Sequence, residues 1–166
     1  MASRPYTGNK DAAGVTGAKP GTQSFQNLMC FLFGMKNLGI YANRTVRGSS
    51  SATPPLSVHA TGRACDLGGT PKQCKEATEF LFAWRDRLGI EEIHDYKGHY
   101  MQTKGFGAGY RCDRDAWKVY DKNMIGPGGN WVHYEISPEM ANDPAKVEKV
   151  FTEILNEITK ALEGLK

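Results

Sequence analysis

The C-terminal end of the chain carries the pattern that most limits its fold, a long amphipathic helix that other residues must cover. Asp143 can cap this helix, and Pro144 suits its first turn. Apolar residues recur at steps of three and four positions, at Val147, Val150, Phe151, Ile154, Leu155, Ile158, Leu162 and Leu165. The opposite face mixes Lys and Glu, which favours packing on a core over binding to a membrane surface or a partner. The rest of the chain is therefore expected to provide an apolar surface for this helix.

Two more helices are predicted upstream of it. The first runs from about Thr22 to Asn37, with Gly39 just past its end as a stop signal. The second follows Thr70, which can cap it, has Pro71 in its first turn and ends at Gly89. Both segments repeat apolar residues with helical spacing.

Three short segments predict β-strands, namely Ile40–Ala42, Ile90–His94 and Trp131–Ile136. The last of them alternates its side chains between two faces. Residues 97–130 form a long glycine-rich region, in which a short helix is expected around Asp113–Tyr120. Residues 43–56 are expected to form a loop because serine, glycine and proline interrupt them.

Length and composition bound what these elements can build. The chain has 166 residues, of which 40% are hydrophobic and 23% charged, as is usual for one globular domain. We expect residues 1–21 to form a flexible N-terminal arm and residues 22–166 to form that domain. The net charge of +3 comes from scattered residues and not from a basic block, which argues against nucleic-acid binding.

Neither a membrane span nor an export signal is visible in the sequence. The longest apolar run stops well short of the roughly 18 residues that a span requires, and the N-terminus has no apolar signal core. We therefore expect a protein made in the cytoplasm, without membrane insertion. In that compartment the four cysteines are expected to be unpaired thiols and not disulfides, and their spacing does not fit a zinc finger. They are Cys30, Cys65, Cys74 and Cys112.

Two short segments, Ser57–Asp66 and Trp131–Glu135, concentrate residue types that bind metals. Within them, His59, Asp66 and His133 offer two imidazoles and one carboxylate. Three protein ligands leave the fourth position of a tetrahedral zinc ion open for water, as in catalytic sites. Zinc lowers the pKa of that water and polarises a carbonyl, which amide hydrolysis needs. The spacing alone leaves open the alternative that these are surface or satisfied core residues.

The pattern Ser-x-His-x-x-Gly-x-Ala-x-Asp followed by Trp-x-His resembles the zinc D-Ala-D-Ala carboxypeptidases and L-Ala-D-Glu peptidases. These enzymes share a fold with the hedgehog signalling domain. The similarity runs from about Arg44 to Ile136, more than half of the chain. It implies an α+β fold in which a small antiparallel sheet carries a zinc site and is flanked by helices. It also implies that His59, Asp66 and His133 bind Zn²⁺.

The resemblance suggests roles for residues around the metal. Family members place an arginine before the motif, and Tyr41–Gly48 looks similar to that segment. Arg44 is the first candidate to stabilise an oxyanion or hold a substrate carboxylate, with Arg47 in reserve and a surface arginine as the alternative. Ser57 is expected to support the metal loop by hydrogen bonding. Trp131 is expected to pack beneath the metal strand or to line a substrate cleft.

The general base is where this sequence departs from the family. Many relatives have Glu three residues before the second histidine, but this chain has Asn130, which cannot accept a proton. Glu135 lies two residues after His133 and shares its strand face, so it is expected to be the base or to orient a ligand. His99 is expected to be a surface or substrate-facing residue. Three other proton acceptors stay open, namely His94, Asp95 and Asp121.

Together these features predict a monomeric zinc peptidase that hydrolyses amide bonds in peptidoglycan stem peptides. Because a wall enzyme without an export signal resembles a phage endolysin, we expect it to accumulate in the host cytoplasm and to act on the cell wall after release. One alternative is a zinc-containing module that binds wall peptides or a partner protein without cleavage, which Asn130 keeps open. Another is a cytoplasmic D-Ala-D-Ala dipeptidase.

Overall fold

The fold is built on one antiparallel sheet, seen in a computed structural model that describes residues 4–46, 51–103, 106–120 and 130–165. Its six strands are β1 (Lys36–Gly39), β2 (Ala64–Gly68), β3 (Ile90–Asp95), β4 (Ala108–Arg111), β5 (Ala116–Val119) and β6 (Trp131–Ile136). They lie in the order β1-β2-β6-β3-β4-β5. The described helices are α1 (Pro20–Phe33), α2 (Pro71–Ala83), α3 (Pro138–Asn142) and α4 (Pro144–Glu163). The expected α+β class with an antiparallel sheet is confirmed.

Alternation along the strands gives the sheet one apolar and one polar face. On β6, Val132, Tyr134 and Ile136 belong to the apolar core, whereas the intervening residues point to the other face. Helices α1 and α2 pack on the apolar face, and α4 packs against α1. Phe25 of α1 joins these layers, since its ring lies 5.3 Å from the ring of Tyr134 and 4.9 Å from that of Phe151. The polar face is therefore left to the candidate site.

Local signals predicted where α2 and α4 begin, but the predicted end of α2 at Gly89 is wrong, because the helix ends at Ala83 and residues 84–89 form turns. Thr70 caps α2 in a capping box with Gln73, and the Asp143 side chain accepts a hydrogen bond from the backbone N–H of Lys146. The apolar stripe of α4 is buried at Val147, Phe151 and Ile154 but is exposed at Leu162 and Leu165. The predicted stripe is thus too long at its C-terminal end, where the helix extends past the core.

The predicted boundaries around α1 are wrong. The helix ends at Phe33 because Gly34 adopts a left-handed conformation with φ of 60° and caps it. Residues 36–39 then form β1, although they were expected to include the end of the helix and its stop signal. Ile40–Ala42, predicted as a strand, follows β1 and lies outside the sheet.

The short helix expected at Asp113–Tyr120 is also wrong. Its residues contain β5, which pairs with β4 in an antiparallel hairpin. Trp117 lies opposite Tyr110 in that ladder, and their ring centroids are 6.0 Å apart. Cross-strand aromatic pairing of this kind depends on the neighbouring strand, so the local sequence could not reveal it.

The N-terminal segment, residues 4–19, has no regular helix or strand but lies against the sheet. The Tyr6 ring packs against the core. Further along, the Arg63 guanidinium donates hydrogen bonds to the Gly8 carbonyl and to both carboxylate oxygens of Asp11. This segment, which was expected to form a flexible arm, is thus hydrogen-bonded to the rest of the domain at several points.

None of the described helices has the length and apolar character needed to cross a membrane.

All four cysteines have free thiols, and Cys65, Cys74 and Cys112 are buried. Cys65 lies in the apolar core, on the face of β2 opposite its neighbour Asp66. Its side chain therefore packs in the core.

Candidate metal centre

Strand pairing and one tight turn bring the three predicted metal ligands together. Asp66 on β2 lies directly opposite His133 in the β2–β6 ladder. His59 comes from the 3₁₀ turn Val58–Thr61, which precedes β2. The Ser57 side chain caps this turn by accepting a hydrogen bond from the His59 backbone N–H, as its expected supporting role requires. The turn ends at Gly62, where φ is 71°.

The side chains of this group converge on the Asp66 carboxylate. Nε2 of His59 lies 3.2 Å from Oδ2 of Asp66, and Nδ1 of His133 lies 2.9 Å from Oδ1. One ligand atom from each of the three residues lies within 4.8 Å of the others. The Asp66 side chain is 18% exposed, compared with 5% for His59 and 8% for His133. The group is buried but reaches solvent on the side of its carboxylate.

Hydrogen bonds on the far side of each imidazole orient both rings for metal binding. Nδ1 of His59 lies 2.7 Å from the carbonyl oxygen of Ile40, which can only accept, so Nδ1 carries a proton. Nε2 of His133 lies 3.1 Å from Oε1 of Glu135 and donates to it in the same way. The lone pairs of His59 Nε2 and His133 Nδ1 are thereby free to face a cation, a usual arrangement for histidine ligands. Two imidazole nitrogens and one carboxylate oxygen could therefore hold a metal ion.

In the metal-free protein, a proton on His133 supplies positive charge beside the carboxylates of Asp66 and Glu135. Burial disfavours a charged His133, but hydrogen bonds to Asp66 and Glu135 outweigh it and raise the pKa of His133 to about 10. Burial alone would raise the pKa of Asp66, yet hydrogen bonds from His133 and His59 hold it well below its usual range. A metal ion would have to displace the His133 proton, so its binding is expected to release protons.

Glu135 belongs to a second layer that sequence reasoning recovered only in part. Its Oε2 lies 2.8 Å from the Tyr6 hydroxyl, which is also 2.7 Å from Oε2 of Glu92 on β3. Burial would raise the pKa of Glu135, but the hydrogen bond to His133 lowers it overall. Period-two alternation could have placed Glu92 on the same face as His94, whereas Tyr6 gave no signal because its segment has no periodicity.

His94 lies beside the three candidate metal ligands, His59, Asp66 and His133 (the metal group), but is not one of them. It pairs with His133 across the β3–β6 ladder, and the two ring centroids are 5.2 Å apart. Its Nδ1 is hydrogen-bonded to the Tyr120 hydroxyl, and its ring stacks on Tyr96 at 5.1 Å. Burial and the nearby His133 lower the pKa of His94 to about 3. His94 is therefore neutral at physiological pH.

Asp95, another expected proton acceptor, is used elsewhere in the fold. The buried Asp95 carboxylate accepts backbone N–H bonds from His99, Tyr100 and Met101, and so stabilises a turn. Asn130, three residues before His133, has its Oδ1 3.0 Å from Nε2 of His99. Asp121 lies outside the described residues.

Of the two candidate arginines, Arg44 is described and Arg47 lies outside the described residues. Arg44 is half-buried. Its carbonyl accepts a hydrogen bond from the Ser57 N–H at 2.9 Å, and Ser57 caps the 3₁₀ turn that carries His59 (the metal turn). Nη1 of Arg44 donates to the Thr45 carbonyl at 3.3 Å. Burial raises the pKa of Tyr96, and the positive charge of Arg44 partly offsets that rise. The charge of Arg44 is therefore close enough to act on Tyr96.

Trp131 lines a cavity one step along the strands from the metal ligands. It lies opposite Gly68 in the ladder in which His133 lies opposite Asp66. The cavity has a volume of about 450 Å³ and includes Lys36 and Leu38 of β1. The Trp131 ring also packs against Tyr96, with ring centroids 4.4 Å apart. Both roles expected of Trp131, packing and lining a cleft, are compatible with this position.

Comparison with family models, curated proteins and solved structures finds no match to this chain.

Proposed function

We propose that the protein is a zinc-dependent peptidase that hydrolyses amide bonds in peptidoglycan stem peptides. The observation that carries the proposal is the convergence of His59 Nε2 and His133 Nδ1 on the Asp66 carboxylate. Each imidazole also donates its other N–H to an oxygen, which keeps the metal-facing nitrogens unprotonated once a cation is bound. This donor set is that of catalytic zinc sites with an open position for water.

The chain's own residues would divide the work around the cation. Bound zinc would supply a water molecule of lowered pKa and polarise the scissile carbonyl. Glu135 orients His133 through its hydrogen bond to Nε2. Arg44 has the charge to hold a substrate carboxylate or to stabilise an oxyanion. The cavity beside Trp131 has room for a substrate side chain, and Lys36 gives it a positive charge.

The substrate class rests on the resemblance of the Ser57–Asp66 and Trp131–His133 segments to the D-Ala-D-Ala and L-Ala-D-Glu peptidases. A net charge of +3 would favour approach to anionic wall polymers. A wall-lytic role of the endolysin type is part of this proposal.

Zinc content and wall hydrolysis, measured in the same variants, test the proposal. Wild-type protein is expected to retain about one zinc ion per chain and to release new amino termini from purified peptidoglycan. His59→Ala, Asp66→Ala and His133→Ala are expected to lose both properties. His99→Ala, which removes a histidine outside the metal group, serves as the control for zinc content. Retention of zinc and full hydrolysis in all three ligand variants would contradict the proposal, and mass spectrometry of the fragments would identify the bond.

A second candidate is a metal-containing module that binds wall peptides without cleaving them. It is favoured by Asn130 at the usual base position and by the burial of Glu135, whose side chain is only 4% exposed. Binding of purified peptidoglycan without new amino termini, at saturating zinc, would favour this module over the peptidase.

A further inference from the structure

The Tyr6 hydroxyl reaches the candidate metal centre from the opposite end of the chain, 129 residues away from Glu135. We propose that Tyr6 is a positioning residue of that centre, because its hydroxyl holds the Glu135 carboxylate in the orientation that receives the His133 Nε2 proton. The inference rests on the proposed metal site but does not depend on peptide cleavage.

Both oxygens of Glu135 are used, and this determines how its carboxylate is turned. Oε1 lies 3.1 Å from Nε2 of His133, and Oε2 lies 2.8 Å from the Tyr6 hydroxyl. A carboxylate held at both oxygens cannot rotate without breaking one of these bonds. Because Nδ1 of the same imidazole faces Asp66 at 2.9 Å, the chain of contacts from Tyr6 ends at a metal-ligating atom.

The number of protons shared by Glu92, Tyr6 and Glu135 determines which group donates each hydrogen bond. The phenol has one proton, yet its oxygen lies 2.7 Å from Glu92 and 2.8 Å from Glu135, so one carboxyl group must carry a second proton. Glu135 already accepts a proton from Nε2 of His133, whereas Glu92 lies only beside Tyr6 in this network, so the geometry assigns the second proton to Glu92. Glu92 then donates to Tyr6, and Tyr6 donates to Glu135. The negative charge is left on Glu135, where His133 needs an acceptor.

The N-terminal segment holds Tyr6 firmly enough for this role. The Arg111 guanidinium lies over the Tyr6 ring, 4.2 Å from its centroid. Before Tyr6, the Arg4 backbone N–H donates to the Cys112 carbonyl at 3.2 Å. After it, the Thr7 hydroxyl donates to Glu91 at 2.7 Å. Anchors on both sides leave Tyr6 little freedom to move away from Glu135.

Tyr6→Phe separates positioning from packing, because it keeps the ring and its contact with Arg111 while removing the hydroxyl. We expect Tyr6→Phe to weaken zinc affinity by about 10- to 100-fold, measured by competition with a chelator. We also expect it to shift the visible absorption bands of the cobalt(II)-substituted protein, since these bands report ligand geometry. Thermal unfolding in EDTA checks that the metal-free variant is folded.

Tyr110→Phe is the matched control. Its hydroxyl donates to Asp115 at 3.0 Å, on the apolar side of the sheet, so its loss is expected to lower stability and leave zinc affinity unchanged. Glu92→Gln is a second test, because the amide can donate to Tyr6 as the protonated carboxyl group does. Its zinc affinity is expected to stay close to wild type.

The outcomes separate this inference from the proposed function. Wild-type affinity and cobalt spectrum in Tyr6→Phe would overturn the inference alone, as would a large loss of affinity in Glu92→Gln. Weaker zinc binding in Tyr6→Phe together with no wall hydrolysis by wild type would overturn the peptidase and support the inference. Failure of the wild-type protein to bind zinc or cobalt would overturn both.

Discussion

Arg63 lies in the segment Ser57–Asp66, and its buried side chain links this segment to the N-terminal segment. Its guanidinium is fully buried, yet each of its five N–H groups has an acceptor. It pairs with the carboxylates of Asp11 and Glu91 and donates to the carbonyls of Gly8 and Ile136. Full pairing offsets the cost of removing this charge from water, and losing the arginine would leave the buried Glu91 carboxylate without its cation.

Arg63→Met is therefore expected to lower the free energy of unfolding by about 3–5 kcal/mol, measured by urea denaturation of the metal-free protein. Arg63→Lys is expected to be destabilising as well, because an ammonium group cannot reproduce the forked contacts. Arg87→Met removes an arginine that pairs with Glu153 and Glu157 on the surface, and it should have little effect. Equal losses in Arg63→Met and Arg87→Met would contradict this account.

Glu135 offers a residue-scale test between a base and an orienting partner. Both of its oxygens are already hydrogen-bonded, so we expect it to orient His133. Glu135→Gln should then weaken zinc affinity by about tenfold or more, and excess zinc should restore most of the turnover. Loss of turnover at saturating zinc with unchanged affinity would instead identify Glu135 as the base. Glu163→Gln, at an exposed position on α4, is the control.

Among the secondary-structure elements, the register of β2 against β6 decides which side chains meet. Asp66 lies opposite His133, and on the same face Ala64 lies opposite Glu135. A slip of one residue would exchange this polar face for the apolar one that carries Cys65 and Tyr134. Ala64 is fully buried beside Glu135, which favours a small residue at this position.

The metal turn must also end in a glycine. Gly62 has φ of 71°, and a Cβ atom there would lie 2.3 Å from the Gly17 carbonyl oxygen. Gly14 has a similar φ of 75° but nothing within 4 Å of a Cβ position. A substitution at either glycine would meet the same left-handed backbone, and the two positions differ only in crowding.

Gly14→Ala is expected to cost about 1–2 kcal/mol of stability from its left-handed backbone. Gly62→Ala should cost about 1–3 kcal/mol more, because the N-terminal segment must move away. Since Gly62 ends the turn that carries His59, its substitution should also weaken zinc binding, whereas Gly14→Ala should not. Denaturation curves and chelator competition measure both effects, and similar results for the two variants would argue against the close approach of Gly17.

At the scale of the whole molecule, the core and the candidate site occupy opposite faces of one sheet. The apolar cluster includes Phe25, Leu67 and Phe151, which lie on the helix side. The metal group lies on the other side, between β2, β6 and the turn that precedes β2. Because the core does not include the metal ligands, the chain is expected to fold without zinc and to be stabilised further by it.

Removing zinc with EDTA is therefore expected to lower the melting temperature without abolishing cooperative unfolding. Free zinc at about 100 times its Kd stabilises the folded state by about 2.7 kcal/mol. For a chain of this size, that corresponds to roughly 5–10 °C. His59→Ala should melt at the same temperature with zinc or EDTA. A metal-free protein that shows no cooperative transition would refute the separation of core and site.

Much of the helical structure and the chemistry of the ligands could be predicted from local sequence. The caps at Thr70 and Asp143 and the alternation of β6 depend on residues a few positions apart, so short-range physics suffices for them. Residue type and motif predicted a metal-binding role for His59, Asp66 and His133. The predicted helix at Asp113–Tyr120 failed because a short segment takes its conformation from the strand it pairs with.

By itself, the sequence determined the amphipathic faces, the helix caps and the three side chains able to hold a metal ion. Only the tertiary structure decided that Asp66 lies opposite His133, that Glu135 turns one oxygen to His133, and that Tyr6 holds the other. The physical reason is distance along the chain. Alternation and capping act between neighbours, whereas the contact between Tyr6 and Glu135 exists only after the sheet has formed and the N-terminal segment has docked on it.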